Sequence, residues 1–313
     1  MKAPIPLLLI TVLQGVSGGL ALALAIDLGA GGHVGILPYG IGLVLALIGG
    51  AASFTHMHQL KAGRFMLRGW RTSWLSREAL TTSWYIAALV GEIVWLKVAA
   101  VGEGAVVWAA VTAGLALLAM FVTAMVYSSI PAMLSWHSPL TTVGMMLTGI
   151  VGGWMTGLVF DYQKPWETAV ALGLLALWAG VRALQVRFFI DARRRVMAAT
   201  GTGLPRPPYR LQDTGTTKPP YRTQTQIAPE LSRGSHRGSL VALACWMIVL
   251  PLALTGGVHL WGHPVTIAGV RAASVVVGSF IDRWLFFRDA SHSSRVWFAD
   301  QLFASGRSAQ VRS

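Results

Sequence analysis

Residues 36–57 read ILPYGIGLVLALIGGAASFTHM, residues 58–79 read HQLKAGRFMLRGWRTSWLSREA, and residues 80–100 read LTTSWYIAALVGEIVWLKVAA. Two apolar runs flank a short basic turn, and that arrangement sets the architecture. A run of about 20 apolar residues is long enough to cross the hydrocarbon of a bilayer as a helix. Only helices and closed barrels satisfy their backbone polar groups in lipid. These runs lack the apolar/polar alternation of a barrel strand, so they are read as helices.

The same pattern recurs along all 313 residues. Hydrophobic residues make up 54% of the chain and charged residues 12%, well below the roughly 25% charged in soluble domains. The expected fold is all-α: a polytopic membrane protein with an eight-transmembrane-helix bundle. The spans fall near 5–27, 36–57, 80–100, 105–128, 140–160, 168–189, 239–260 and 265–287. The first is read as a retained span, since no small-residue cleavage site follows it. Gly18-Gly19, Gly49-Gly50 and Gly152-Gly153 lie inside spans, where small residues let helices approach closely. A transmembrane domain is expected over 1–290, including a cytoplasmic loop over 201–238, with 291–313 as a cytoplasmic C-terminal tail.

The net charge of +13 is not the footprint of a nucleic-acid partner, because the basic residues sit in loops flanking apolar spans. With eight spans, 22 of the 25 basic residues fall on one side. The positive-inside rule puts that side, and both termini, in the cytoplasm. Residues 201–238 are rich in Pro, Thr and Arg and repeat Pro207-Pro208-Tyr209-Arg210 as Pro219-Pro220-Tyr221-Arg222. Such a segment is either a solvated linker or a stretch that orders against a partner.

The only cysteine is Cys245. It excludes an internal disulfide and a four-thiolate Fe–S cluster. No two of the eight histidines sit at the depth of membrane-embedded haem ligands, so no haem or Fe–S cluster bound by this chain is expected, and no metal site.

His56, at the cytoplasmic end of span two, is the leading candidate for chemistry. Histidine titrates near neutral pH and can exchange protons with a quinone oxygen. An interfacial bond to a backbone carbonyl is the alternative, and His58 competes for the role. Glu78 reads as a first-turn acid favoured by the helix dipole, with Ser76 as cap. Trp136-His137-Ser138-Pro139 precedes span five on the same side, with Ser138 as cap and Pro139 at the first helical position. Asp282-Arg283 near the end of span eight reads as an interhelical pair or as ordinary snorkelling of Arg283. Glu92 is mid-span and faces the bundle interior on this reading.

Several strings resemble the membrane-anchor subunits of DMSO-reductase-type molybdoenzymes, the DmsC-like anchors. They are Ala52-Ser53-Phe54-Thr55-His56, Ser76-Arg77-Glu78, Trp70 to Glu78, Trp136 to Thr141, Lys218 to Gln224 and Asp282 to Phe287. Within that group they are most similar to the anchors of cytoplasmic sulfite dehydrogenases. The family's Leu-Gly after the histidine is replaced here by Met57-His58. The resemblance implies an anchor in the bacterial inner membrane, without a redox cofactor of its own. It implies a four-cluster Fe–S ferredoxin-like subunit and a molybdopterin catalytic subunit as partners, with the lipid bilayer as surroundings. It also implies exchange with ubiquinone or menaquinone as substrate, with electrons passing from sulfite through molybdenum and Fe–S clusters. The expected quinone-binding residues are His56, His58, Arg77, His137, Asp282 and Arg283. The expected partner-docking residues are Arg64, Arg68, Arg71, Tyr209, Arg210, Tyr221 and Arg222. The alternatives are a haem b-bearing quinone-reactive subunit and a small-molecule transporter.

Overall fold

The computed structural model describes residues 5–55, 67–99, 103–131, 133–160, 165–195, 233–261 and 264–290. Among the described residues the long elements are helices, in the expected order. α1 is Ile5–Gly29, with a π turn at Ile10–Gln14. α2 is Ile36–Thr55, α3 Trp74–Val98, α4 Glu103–Ser128, α5 Pro139–Gly157 and α6 Pro165–Arg195. α7 runs through Arg233–Ala244, a π turn at Cys245–Val249, and Leu250–Trp261. α8 is Pro264–Arg288. The loop expected over 201–238 therefore ends earlier, because α7 already begins at Arg233. Likewise α3 begins at Trp74 rather than at residue 80. Its first turn is capped by Ser73, whose hydroxyl accepts from Ser76 N at 3.4 Å. Apolarity marks where a helix meets lipid, and the polar first turns lie beyond that point.

Seven of these helices are long and apolar enough to cross a membrane. The exception is α5, and its place explains its composition. It packs against α1, α4, α6 and α8. A helix surrounded by helices needs small side chains, and α5 carries Gly144, Gly149, Gly152, Gly153 and Gly157. Gly149 and Gly153 lie one turn apart opposite Gly15 and Gly19 of α1. A Cβ at Gly149 would stand 2.8 Å from Gly15 Cα, and one at Gly153 would overlap the backbone of Gly19 and Leu20. This is small-residue packing at both helices of one seam.

The seam joins two apolar cores. One lies among α1–α4 around Leu20, Leu24, Tyr39, Tyr85 and Leu89. The other involves α5–α8 around Val151, Met155, Trp178, Met247 and Val275. Large apolar side chains such as Val44, Leu47, Val94, Val107 and Leu177 face outward. Polar groups are turned in. Gln14 Nε2 donates to Thr82 Oγ1 at 2.9 Å. The Ser17 hydroxyl meets the Gly42 carbonyl at 2.7 Å and the Tyr85 hydroxyl at 2.6 Å. An apolar exterior over a hydrogen-bonded interior suits lipid, which cannot satisfy a polar group.

Candidate functional site

The end of the bundle where α3 begins, α4 ends, α5 begins and α6 and α8 end carries the densest buried charge. Asp282 and Arg283, two turns from the end of α8, are each 2% exposed. Arg182 of α6 places Nε 2.7 Å from Asp282 Oδ1, and Arg283 Nη2 lies 3.4 Å from Oδ2. The Thr148 hydroxyl of α5 stands 3.2 Å from Asp282 Oδ2 and accepts from Trp178 Nε1 at 3.0 Å. Arg182 Nη1 donates to Gln185 Oε1 at 2.8 Å. Arg283 Nη2 reaches the carbonyls of Gly144 (3.3 Å) and Met145 (3.4 Å) on α5. Arg283 does not snorkel to the interface. It is turned into the bundle, because Asp282 and the two carbonyls supply the partners that a buried guanidinium needs.

Two guanidinium groups face one carboxylate here. Asp289, directly after α8, is also buried here, and a further acid is Glu78 of α3, 6% exposed. It lies beside Thr123 of α4 and within electrostatic reach of Tyr127, which is in turn within reach of Arg283. Glu78 is therefore an interior residue rather than a first-turn acid at the helix dipole. Starting α3 at Trp74 moves residue 78 past the first turn and onto the face shared with Thr82, Tyr85 and Glu92. Next to Tyr127, Trp136 stacks on Phe286 at 5.1 Å and donates from Nε1 to the Phe286 carbonyl at 3.2 Å. A narrow cavity lined by Thr11, Gln14, Met120, Thr123 and Met145 lies between α1, α4 and α5. Gln14 Oε1 and Thr123 Oγ1 are buried there with no hydrogen-bond partner among the described residues.

The remaining sequence-predicted residues are divided between the surface and the undescribed segments. Arg77 is half-buried and holds the turn before α3. Its Nε donates to the Trp70 carbonyl (2.9 Å), its Nη2 to that of Arg71 (2.6 Å), and its guanidinium lies 4.3 Å from the Trp74 ring centre. His137 is exposed, with Nδ1 2.9 Å from the Ser128 carbonyl. Arg68 and Arg71 are exposed on the same face. His56, His58, Arg64, Tyr209, Arg210, Tyr221 and Arg222 lie outside the described residues. Thr55, the last described residue of α2, closes that helix at this same end of the bundle.

Sequence reasoning missed Arg182, Gln185, Thr123, Tyr127 and Gln14, and misjudged Glu78. For Glu78 a signal existed: residues 78, 82, 85 and 92 are polar at helical spacing in an otherwise apolar run. For Gln14 and Thr123 no signal existed, since single neutral polar residues are ordinary in such helices. Chemically, the arrangement offers buried guanidinium and carboxyl groups beside aromatic walls. No group of three or more His, Cys, Asp or Glu positioned for a metal occurs among the described residues.

The family model for the DMSO reductase anchor subunit (DmsC) matches residues 1–198, which take in α1 to α6. The chain is also 26% identical over 286 residues to one of the subunits of the sulfite dehydrogenase of Allochromatium vinosum. That alignment covers 82% of this chain and 84% of the relative.

Proposed function

We propose that this chain, which belongs to the DMSO reductase anchor subunit family, exchanges electrons with membrane quinone on behalf of a sulfite-oxidising molybdenum complex. It is a multi-pass membrane anchor. In this reading all eight helices cross the bilayer, including α5 in its interior position. The basic end faces the bacterial cytoplasm, with both termini there. An Fe–S subunit docks on that end through Arg64, Arg68, Arg71 and the Tyr- and Arg-bearing repeats near Tyr209 and Tyr221. A molybdopterin subunit beyond it oxidises sulfite. The resemblance to a sulfite dehydrogenase subunit supports the substrate. The excess of basic residues on this face supports the orientation.

The observation that carries the quinone site is the buried charge group Asp282, Arg182, Arg283 and Glu78 at the end of the bundle where α2 closes with Thr55. Quinone reduction takes two electrons and two protons. Electrons come from the partner on the basic face, so the ring belongs at that end of the bundle. His56 and Glu78 are the proton-exchanging groups, and Arg283 steadies negative charge on the ring oxygen by charge-assisted bonding. Arg77 and His137 shape the rim.

The test is His56→Ala and Glu78→Gln in complexes shown to assemble and to keep full turnover with an artificial electron acceptor. Quinone-dependent turnover falls about a hundred- to ten-thousand-fold where general acid–base help is lost. Unchanged quinone turnover in both variants ends the assignment. A reporter active only outside the cytoplasm, fused at the C-terminus, tests the orientation, and strong signal there reverses it.

A further inference from the structure

The opposite end of the bundle buries an acid that meets no cation among the described residues. Glu92 of α3 is 0% exposed, and neither of its oxygens has a hydrogen-bond partner among the described residues. Thr112 of α4, also 0% exposed, lies beside it but closes no hydrogen bond of good geometry. Tyr39 of α2 is 1% exposed, its hydroxyl is likewise unpartnered, and it lies within electrostatic reach of both Glu92 and Asp27. Asp27, at the end of α1, lines a cavity of about 240 Å³ together with His33, Leu37, Pro38, Trp154 and Glu167. His33, Gly35 and Leu37 line the same cavity, and Gly35 and Leu37 are exposed, so this cavity meets the surface.

Burial of an unpaired carboxyl in a membrane is costly, and such groups mark ion and proton routes. Replacing buried polar groups by well-packed apolar ones is often neutral or stabilising, so three unpartnered polar side chains in one place call for a function. None of the three lines the Asp27 cavity itself, but Pro38 does, next to Tyr39; water passing inward from there would satisfy all three and give the carboxyl a proton donor. The groups facing Glu92 are Tyr39 from α2, with Asp27 of α1 behind it, and Thr112 from α4. Lys97 on α3 itself lies beyond it toward the helix end and is not in contact with it.

We infer that Glu92, with Tyr39 and Thr112, is a proton-exchange site inside the first four helices, reached by water through the Asp27–His33 cavity from the face opposite the basic one. Further inward the same face of α3 carries Tyr85, paired with Ser17, and Thr82, paired with Gln14. The inference stands apart from the quinone reading, since it concerns an end of the bundle that reading does not use.

A lipophilic carbodiimide tests it without any turnover. The acid form of a carboxyl adds across the carbodiimide. The O–H bond breaks, a C–O bond forms to the carbodiimide carbon, and the proton goes to nitrogen. The acyl group then migrates to nitrogen as a stable N-acylurea, and nothing leaves. The assembled complex in sealed vesicles, with inside and outside buffers set separately, is treated with dicyclohexylcarbodiimide. Fragment mass spectra distinguish modification of Glu92 from that of Glu78. The cavity side is identified by Gly35→Cys in a Cys245→Ser background, using an impermeant maleimide, because a Cβ at Gly35 meets nothing within 4 Å.

Glu92 should be modified at a rate at least tenfold lower in the most alkaline than in the most acidic buffer on the cavity side. The rate should be indifferent to pH on the basic side. Glu92→Gln removes the adduct. An unmodified Glu92, or a rate that follows only the pH of the basic side, overturns the inference.

Discussion

The two ends of this bundle bury carboxyl groups in opposite ways. Asp282 is held by Arg182 at 2.7 Å, by Arg283 at 3.4 Å and by the Thr148 hydroxyl at 3.2 Å, so three helices meet on it. Glu92, 0% exposed, is as little accessible and, among the described residues, meets no cation and no well-formed hydrogen bond. Burial alone therefore does not define a role. An acid locked between arginines binds helices together and fixes a local field, whereas an acid without such partners can gain and lose a proton. The difference follows from the surroundings: α5, α6 and α8 supply two guanidinium groups and a hydroxyl around Asp282, while α2 and α4 offer Glu92 only hydroxyls.

The same chemical change at the two sites puts this contrast at risk. Asp282→Asn leaves Arg182 and Arg283 facing each other in the interior. Removing one partner of a buried pair costs about 3–5 kcal/mol. The expected outcome is loss of most folded anchor from the membrane, or a thermal midpoint in detergent far below the parent's. The companion Arg182→Gln should be milder, since Arg283 still compensates Asp282. A parent-like midpoint for Asp282→Asn would show that the charge group is not a clamp.

The next effect concerns the seam that joins the two halves. A side chain at Gly153 runs into the backbone of Gly19 and Leu20. Gly153→Val should cost about 1–3 kcal/mol or more, as overpacking does. Gly173→Ala, on a helix position where a Cβ meets nothing within 4 Å, should change little. Equal midpoints for these two variants would mean that α1 and α5 are not tightly apposed.

How far these features were legible in the sequence differs in an instructive way. Among the described residues each expected span holds a helix, with ends displaced by up to six residues, because length and apolarity reflect contact with lipid. The errors fall where that contact ends. The first turns of α3 and α7 are polar, so the expected apolar spans open at Leu80 and Ser239, six residues after Trp74 and Arg233. Asp282-Arg283 drew notice because a charged pair breaks an apolar run. Its partner Arg182 passed as a helix-end arginine, since a sequence does not reveal which way a side chain turns. The use of Gly15, Gly19, Gly149 and Gly153 depends on which helices touch, and that is a tertiary fact. Glu78 was misread for want of the helix start, which set its face by one turn.

The smallest effect is predicted at Glu92, and it is the one that separates the two kinds of burial. Glutamine keeps the size of the side chain and removes the exchangeable acid. At Asp282 the corresponding amide destroys an ion pair. At Glu92 there is no ion pair to destroy among the described residues, and the amide meets the same Tyr39 and Thr112 hydroxyls. Glu92→Gln should therefore move stability by less than about 1 kcal/mol, within the range of substitutions that break no named interaction. Thermal midpoints of the parent, Glu92→Gln and Asp282→Asn, measured in one detergent at one pH, give the comparison directly. A loss at Glu92 as large as that at Asp282 would mean that the carboxyl is a structural partner like the other, and the contrast between the two ends would fall.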